Sequence, residues 1–395
     1  MTRKTNIKVA YALSFLSELY FPISSWIFYY LRFLDFKQIA IITTVQVITG
    51  NLLEVPTGAF ADLVGRKKAV FLSFLIFSFV MFAFAFTSIF WIFILLEIFK
   101  GLSNSLYSGS LEALVYDTLK EDGKESTFDK VVSNMETAAW IGLFISAIAG
   151  GFLYQYWFRS PWIIQGIIYA LAALTVLKLH EPILDTKKYT LKTILTQNVS
   201  GFKEVFRNIK IAQATIVFII IGAGYFIAAN ILGISQAREY GMDSRGVGLL
   251  FAAGYLISAL ASQAFPKLKN LLGSKNLLIV TVSILIGSFI FAKFTGVVLG
   301  SILIISRISS STTFRNIRSS ILNRYIDSKN RATAISTLVL LSQLPYALVA
   351  YTIGDYIDKS SPNSFAFILG LAMVGLLIVQ QIIFKAIRFR TTQTD

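Results

Sequence analysis

Stretches of roughly 20 mostly apolar residues recur from one end of the chain to the other, and most of the charged residues gather in the short segments between them. A run of that length, coiled at 1.5 Å per residue, spans the roughly 30 Å of hydrocarbon in a bilayer. One such run can be a buried core helix of a soluble protein. A long series cannot, because a water-facing globule needs polar side chains to cover it. Charged residues make up 14% of the 395 and apolar residues 55%, against about 25% charged in an ordinary soluble domain. The chain therefore reads as an all-α membrane protein that crosses the bilayer many times.

Twelve membrane helices fit the pattern, at 8–31, 38–61, 69–88, 90–118, 131–156, 161–179, 211–236, 246–265, 276–293, 296–322, 332–355 and 364–386. Arg3, Lys4 and Lys8 before the first run resemble the start of a signal peptide. The run is too long for one and contains Glu18, so it is read as a retained helix.

The net charge of +15 would suit a nucleic-acid binder if it lay on a soluble surface. Here 25 of the 36 Lys and Arg fall in the termini and the even-numbered loops, and 7 in the odd-numbered loops. Cytoplasmic loops hold the excess of basic residues, so both termini are expected on the cytoplasmic side, with no nucleic-acid partner. The chain has no cysteine and a single histidine, His180. Disulfides, thiolate metal sites, His-based zinc sites and Ser-His triads fall away, and no enzyme activity, metal or cofactor is expected. No GxxxxGK[ST] phosphate loop is present, which argues against an ATP-driven pump.

The longest loop divides the chain into three parts: 1–180, a linker at 181–210, and 211–395. Within the linker, Leu191, Ile194, Leu195, Val199, Phe202, Val205, Phe206 and Ile209 recur at helical spacing among Lys192, Lys203, Arg207 and Lys210. That pattern suits an amphipathic helix on the inner leaflet, with a disordered linker as the other reading. The two large parts look like repeats. Glu97 and Asp117 are matched, about 210 residues later, by Arg307 and Asp327. Gly65-Arg66-Lys67-Lys68 is echoed by Gly273-Ser274-Lys275-Asn276.

The densest charge cluster runs from Gly58 to Lys68, in the pattern G-x-x-x-D-x-x-G-R-K-K between the second and third helices. It resembles the loop signature of the major facilitator superfamily of secondary transporters. Together with the helix count, the central loop and the repeat, the resemblance covers nearly the whole chain. It implies two pseudo-symmetric six-helix bundles, and a charge network favouring the outward-open state. The network's roles fall on Asp62, Arg66 and Asp117, with Gly58 and Gly65 allowing close packing and a sharp turn. Asp62 capping a helix end and Arg66 bridging two carboxylates would make a breakable latch. The alternative for Arg66-Lys67-Lys68 is topology alone. In helix 5, Gly142, Gly150 and Gly151 are similar to the signature of bacterial drug:proton antiporters. Ser146 stands where that signature has glycine, and Ala147 where it has proline. The family's helix-4 arginine aligns with Glu97, and Lys100 follows one turn on.

Ionisable residues at membrane depth are costly and mark function by default. Glu18, Lys100 and Arg307 fall near mid-bilayer, with Glu97 a turn further out. On helix 4, Glu97, Lys100, Asn104, Ser108 and Glu112 share one face, and Glu97 and Lys100 can pair at i, i+3. Arg307, Ser311, Arg315 and Arg318 form a similar stripe on helix 10. A carboxylate at Glu18 is the expected proton or cation site, with a structural, hydrogen-bonded role as the other reading. For Glu97–Lys100 the other reading is a static ion pair, and for Arg307 it is packing. Glu54, Glu112, Glu136, Arg315 and Arg318 lie towards the cytoplasm and suit an inner gate. Trp91, Trp157 and Trp162 are expected at the outer interface. Tyr29, Tyr107, Trp140, Tyr225 and Tyr255 are candidates to line a pocket for flat cations.

The expected function is proton-coupled secondary transport by alternating access, exporting amphipathic or cationic drug-like molecules across a bacterial inner membrane. The partners are the small-molecule substrate, protons and the lipid bilayer, with the protein as a monomer. Import of a sugar, amino acid or organic anion is the first alternative, since Lys100 and Arg307 would suit an anion. A lipid-handling membrane protein is the second.

Overall fold

A computed structural model of the chain describes residues 3–182, 201–326 and 328–391. Most of the expected amphipathic helix falls at 183–200, and Asp327, the expected counterpart of Asp117, lies at a position of its own; both are outside the described residues. Among those described, the regular structure is entirely helical.

The first membrane segment is not one helix. It is α1 (Arg3–Glu18), a 3-10 turn (Phe21–Ser24) and α2 (Trp26–Tyr30). Pro22 explains the break, since a proline ring clashes with the carbonyl four residues earlier, here that of Glu18. Next come α3 (Phe36–Val64) and α4 (Arg66–Phe86). The fourth segment divides into α5 (Phe90–Tyr107) and α6 (Ser110–Glu121), because Gly109 adopts φ +70°. A left-handed residue cannot continue a right-handed helix. Ser108 and Glu112 therefore do not extend the stripe of α5, contrary to the expectation of one continuous helical face. After α7 (Phe128–Tyr156) and α8 (Ser160–Val176), the chain resumes with α9 (Ile209–Ile227), a π-helical turn (Ala228–Leu232) and α10 (Gly233–Glu239). The long helix α11 (Ser244–Ile290) is bent at Gly273, φ +73°. It is followed by α12 (Val297–Tyr325), α13 (Ser328–Lys359) and α14 (Pro362–Thr391).

Nine described stretches are long and apolar enough to cross a membrane. The stretch Ser244–Phe294 holds two crossings, one on each side of Gly273. With the shorter Ser160–Val176 and the broken N-terminal segment, twelve crossings result.

The chain forms two compact units, Met1–Ile194 with Asp243–Ala252, and Leu195–Met242 with Ala253–Asp395. In the first, α3 packs on α5, α4 on α8 and α1 on α7. Small residues let these backbones approach, as membrane helices require in the absence of a hydrophobic drive between them. A Cβ on Gly101 would lie 2.9 Å from the Gln46 carbonyl of α3. Hydroxyls bridge other pairs: Ser73 donates to the Ser103 carbonyl at 2.9 Å, and Ser78 to that of Gly166 at 2.8 Å. Trp162 is buried and stacks on Tyr29 at 4.0 Å between centroids. Trp162, in the first turn of α8, thus faces the protein rather than its surroundings, and one expectation is corrected: Tyr29 is core, its hydroxyl spent on the Phe84 carbonyl. Trp91 and Trp157 are exposed. In the second unit α9 packs on α13 and α14.

Candidate functional site

The break in the first segment places Glu18 at the end of α1. Its carbonyl, released from helical bonding, accepts from the Tyr20 N–H at 2.7 Å and the Ser146 hydroxyl at 3.4 Å. Its side chain is exposed and makes no hydrogen bond or ion pair with any described residue. The backbone around it is held by α8, where the Gln165 amide oxygen accepts from the Phe21 N–H at 2.8 Å and the Tyr169 hydroxyl donates to the Ser17 carbonyl at 3.3 Å. Tyr107 is half-buried and lies within electrostatic reach of Glu18 and Glu112. Asn104 and Glu112 are exposed in the same unit.

The glycines of α7 explain how this break is packed. A Cβ on Gly142 would meet the Phe15 carbonyl at 2.6 Å, and one on Gly150 would coincide with the Phe21 carbonyl. Gly151 faces the start of α11, where the Ser244 hydroxyl donates to the Gly151 carbonyl at 2.8 Å. The Gly248 backbone rests on the Ala147 carbonyl.

Glu97 and Lys100 meet as the i, i+3 spacing predicts, at 3.3 Å, and Glu97 is buried. Its Oε1 also accepts from the Tyr30 hydroxyl at 2.9 Å. The pair neutralises itself, so Lys100 is not a free cation.

At one end of this unit, Arg66 is ion-paired with Asp117 and stands 3.7 Å from Asp62. The three residues meet as expected, but Asp62 does not cap a helix; it lies in the last turn of α3. The cap of α4 is Glu181, whose two carboxylate oxygens accept from the N–H groups of Arg66 (2.8 Å) and Lys67 (2.9 Å). A helix N-terminus offers such unpaired N–H groups and a favourable dipole to an anion. Gly65 has φ +113°, and a Cβ there would lie 3.0 Å from Glu181. Gly58, expected to allow close packing, faces open space. Asn6 joins the same cluster. Its amide nitrogen donates to the Thr118 hydroxyl and the His180 carbonyl, both at 2.9 Å, and its oxygen accepts from the His180 N–H at 2.8 Å. The Lys67 ammonium reaches the Leu177 carbonyl at 3.0 Å. Glu181, Asn6 and Thr118 escaped the sequence reading. The available signal was a helix start at Gly65 with no capping side chain of its own.

Of the residues expected at an inner gate, Glu54, Glu112 and Glu136 are exposed in the first unit, and Arg315 in the second. Arg318 is part-buried, its guanidinium 5.8 Å from the centre of the Phe314 ring.

In the second unit Arg307 is 3% exposed. Its Nη2 donates to the Gln236 amide oxygen at 2.7 Å, and the Gln236 nitrogen donates to Asn363 Oδ1 at 3.1 Å. Tyr225 is half-buried and hydrogen-bonded to Ser310 at 2.9 Å, and Tyr255 is also half-buried, as is Trp140 in the first unit.

The fold and these clusters can be set beside known proteins. The chain is 29% identical over 246 residues to the MFS-type transporter YxaM of Bacillus subtilis (strain 168), a match covering 58% of this chain and 57% of the relative. It is 25% identical over 227 residues to Multidrug resistance protein 2 of the same organism, covering 56% of this chain and 55% of the relative. The aligned stretches thus span a little over half of each relative. Among solved structures, the nucleoside transporter NupG superposes with a TM-score of 0.79 at 14% identity, covering 98% of this chain and 100% of NupG. A bacterial homologue of the lysosomal transporter Spinster superposes at 0.69 and 15% identity, covering 97% and 96%. These structural likenesses speak for the fold. The family model of the Major Facilitator Superfamily matches residues 9–350, and the chain belongs to that superfamily of membrane transporters.

Proposed function

We propose that the chain is a proton-coupled secondary transporter that exports amphipathic, cationic small molecules by alternating access. The observation that carries this reading is the Glu18 carboxylate, exposed at a proline break in a membrane helix without an ion partner among the described residues. A proton or an organic cation are the two partners that such a group takes, and competition between them is what antiport requires. Tyr107, Asn104 and Glu112 add aromatic and acidic surface in the same unit. The likeness to Multidrug resistance protein 2 supports the substrate class. In this reading the protein is a monomer of a bacterial inner membrane with both termini cytoplasmic. Asp62, Arg66 and Asp117 are a latch that opens and closes with the transport cycle.

The test is transport in everted vesicles. A panel of amphipathic cations should accumulate when a proton gradient is imposed, and Glu18→Gln should abolish gradient-driven uptake while the protein stays folded. Uptake indifferent to the gradient for every compound, or undiminished in Glu18→Gln, would overturn the coupling.

A second reading, import of an organic anion, is favoured by one observation: Arg307 has no carboxylate partner among the described residues. Loss of growth on a nutrient after deletion would favour it, whereas new sensitivity to toxic cations favours export.

A further inference from the structure

Burying a guanidinium away from water is expensive unless its charge is matched and its N–H groups find acceptors. Arg307 of α12 fails the first condition and meets the second only in part. It is 3% exposed. One nitrogen, Nη2, donates to a neutral acceptor, the Gln236 amide oxygen, at 2.7 Å. The other, Nη1, is buried with no acceptor among the described residues. The Phe289 ring lies 4.9 Å from the guanidinium carbon, a contact that softens the penalty but does not supply an anion.

The acid nearest along this network is already committed. Glu239 accepts from the Asn363 N–H at 2.7 Å, at the start of α14, and Asn363 in turn holds the Gln236 amide that faces Arg307. The order of donors fixes the Gln236 oxygen on Arg307, so the cluster is built to orient the guanidinium without neutralising it. The Tyr240 and Tyr225 hydroxyls, which lie within electrostatic reach of Arg307, are engaged with the Ala292 carbonyl and Ser310 respectively.

The segment that carries Gln236 is not a plain helix. A π-helical turn at Ala228–Leu232 joins α9 to α10. Such turns interrupt helical bonding and recur at functional sites, where they let one end of a helix reorient. Motion of α10 on this turn would withdraw Gln236 from Nη2 and open the guanidinium.

We propose that the second unit contains an anion site at Arg307, where a single monovalent, hydrogen-bond-accepting anion docks on Nη1 when α10 moves. The anion is either a free inorganic ion or the carboxylate of a transported molecule. Both present the same chemistry to a guanidinium edge. The site does not depend on the direction of transport or on proton coupling at Glu18, and it survives if either of those fails.

The test uses the purified full chain in detergent, with thermal unfolding followed by tryptophan fluorescence at constant pH and ionic strength. Sodium isethionate, a bulky sulfonate, is the baseline. Chloride replaces it in one arm and acetate in the other. A ligand that binds only the folded state raises Tm saturably with its concentration. A rise in chloride assigns the site to a free ion, and a rise in acetate alone assigns it to a substrate carboxylate.

Two variants then locate the effect. Arg307→Gln removes the cation and should lose the response. Gln236→Glu places a carboxylate beside the guanidinium and should lose the response while melting at or above the wild-type temperature in isethionate. If Arg307→Gln does not fold, the wild type and Gln236→Glu still decide the matter. No saturable rise in either salt, or a rise that persists in Gln236→Glu, overturns the proposal.

Discussion

The hydroxyl of Ser244 donates a 2.8 Å hydrogen bond to the carbonyl of Gly151, and the two backbones touch where a Cβ on Gly151 would stand. The relationship ties the start of α11 to α7 through a contact that only glycine permits. Gly151→Val should destabilise the protein by about 1–3 kcal/mol through overpacking and should stop transport. Ser244→Ala should cost only about 1 kcal/mol, the worth of one hydrogen bond, and leave transport measurable. Detergent melts and vesicle uptake of the two variants check the difference, and equal losses would disprove the packing argument.

Arg66 and Asp117 are each 19% exposed and form one ion pair, with Asp62 at 3.7 Å from the arginine. Arg66→Ala and Asp117→Ala should each slow transport, and the double variant should lose no more than the worse single. A double-mutant cycle on stability should give a coupling of about 1 kcal/mol. Additive losses would mean that the two residues act separately.

Glu181 accepts two N–H bonds with one carboxylate. Glu181→Gln keeps the shape but removes the charge and points an N–H at a helix N-terminus. A loss of about 1–3 kcal/mol follows from one charge-assisted hydrogen bond. Glu181→Asp should recover little of it, because the shorter side chain reaches one amide and not both. Thermal melts of the two variants decide it.

Asp243, in the turn before α11, accepts from the Gly246 N–H at 2.9 Å and pairs with Arg245 at 2.8 Å. The Gly246 N–H first, and then the Arg245 guanidinium, hold its carboxyl below the usual carboxylate range. A carboxylate with a depressed folded-state pKa adds stability above its unfolded pKa and loses it as pH falls through the folded value. Asp243→Ala should therefore melt lower than the wild type at neutral pH, and the gap should narrow below about pH 4. Because the side chain is 41% exposed, the gap should be small and shrink with added salt. A gap that is constant from pH 7 to pH 3 would refute the assignment.

Much of the architecture could be read from residue pattern alone, because hydrophobic length is set by the bilayer and needs no tertiary knowledge. The Glu97–Lys100 pair and the meeting of Arg66 with Asp62 and Asp117 were likewise legible from helical spacing and from the Gly58–Lys68 signature. The echo of Gly65 in Gly273 was legible too, and both have positive φ at a change of helix direction. The breaks were harder. Pro22 was in view but sat inside an unbroken apolar run, and hydropathy does not register a freed carbonyl. Gly109 gave no warning, since glycine occurs freely in membrane helices and only its φ of +70° ends α5. Glu181, Asn6, Gln236 and Asn363 matter through partners 71 to 174 residues away in sequence. No local pattern encodes such pairings.

The anchoring of Glu181 carries the bonded framework of the first unit past the last turn of α8. The last turn of α8 stops at Val176, yet His180 and Glu181 are bonded to Asn6, Arg66 and Lys67. A coexpressed pair of fragments cut after Pro182 keeps every one of those bonds within the first piece. A cut after Leu179 leaves the N–H groups at the start of α4 without their carboxylate, and strips Asn6 of its backbone partner. Two cut points three residues apart should therefore give fragments of very different solubility and reassembly, although neither touches a membrane helix.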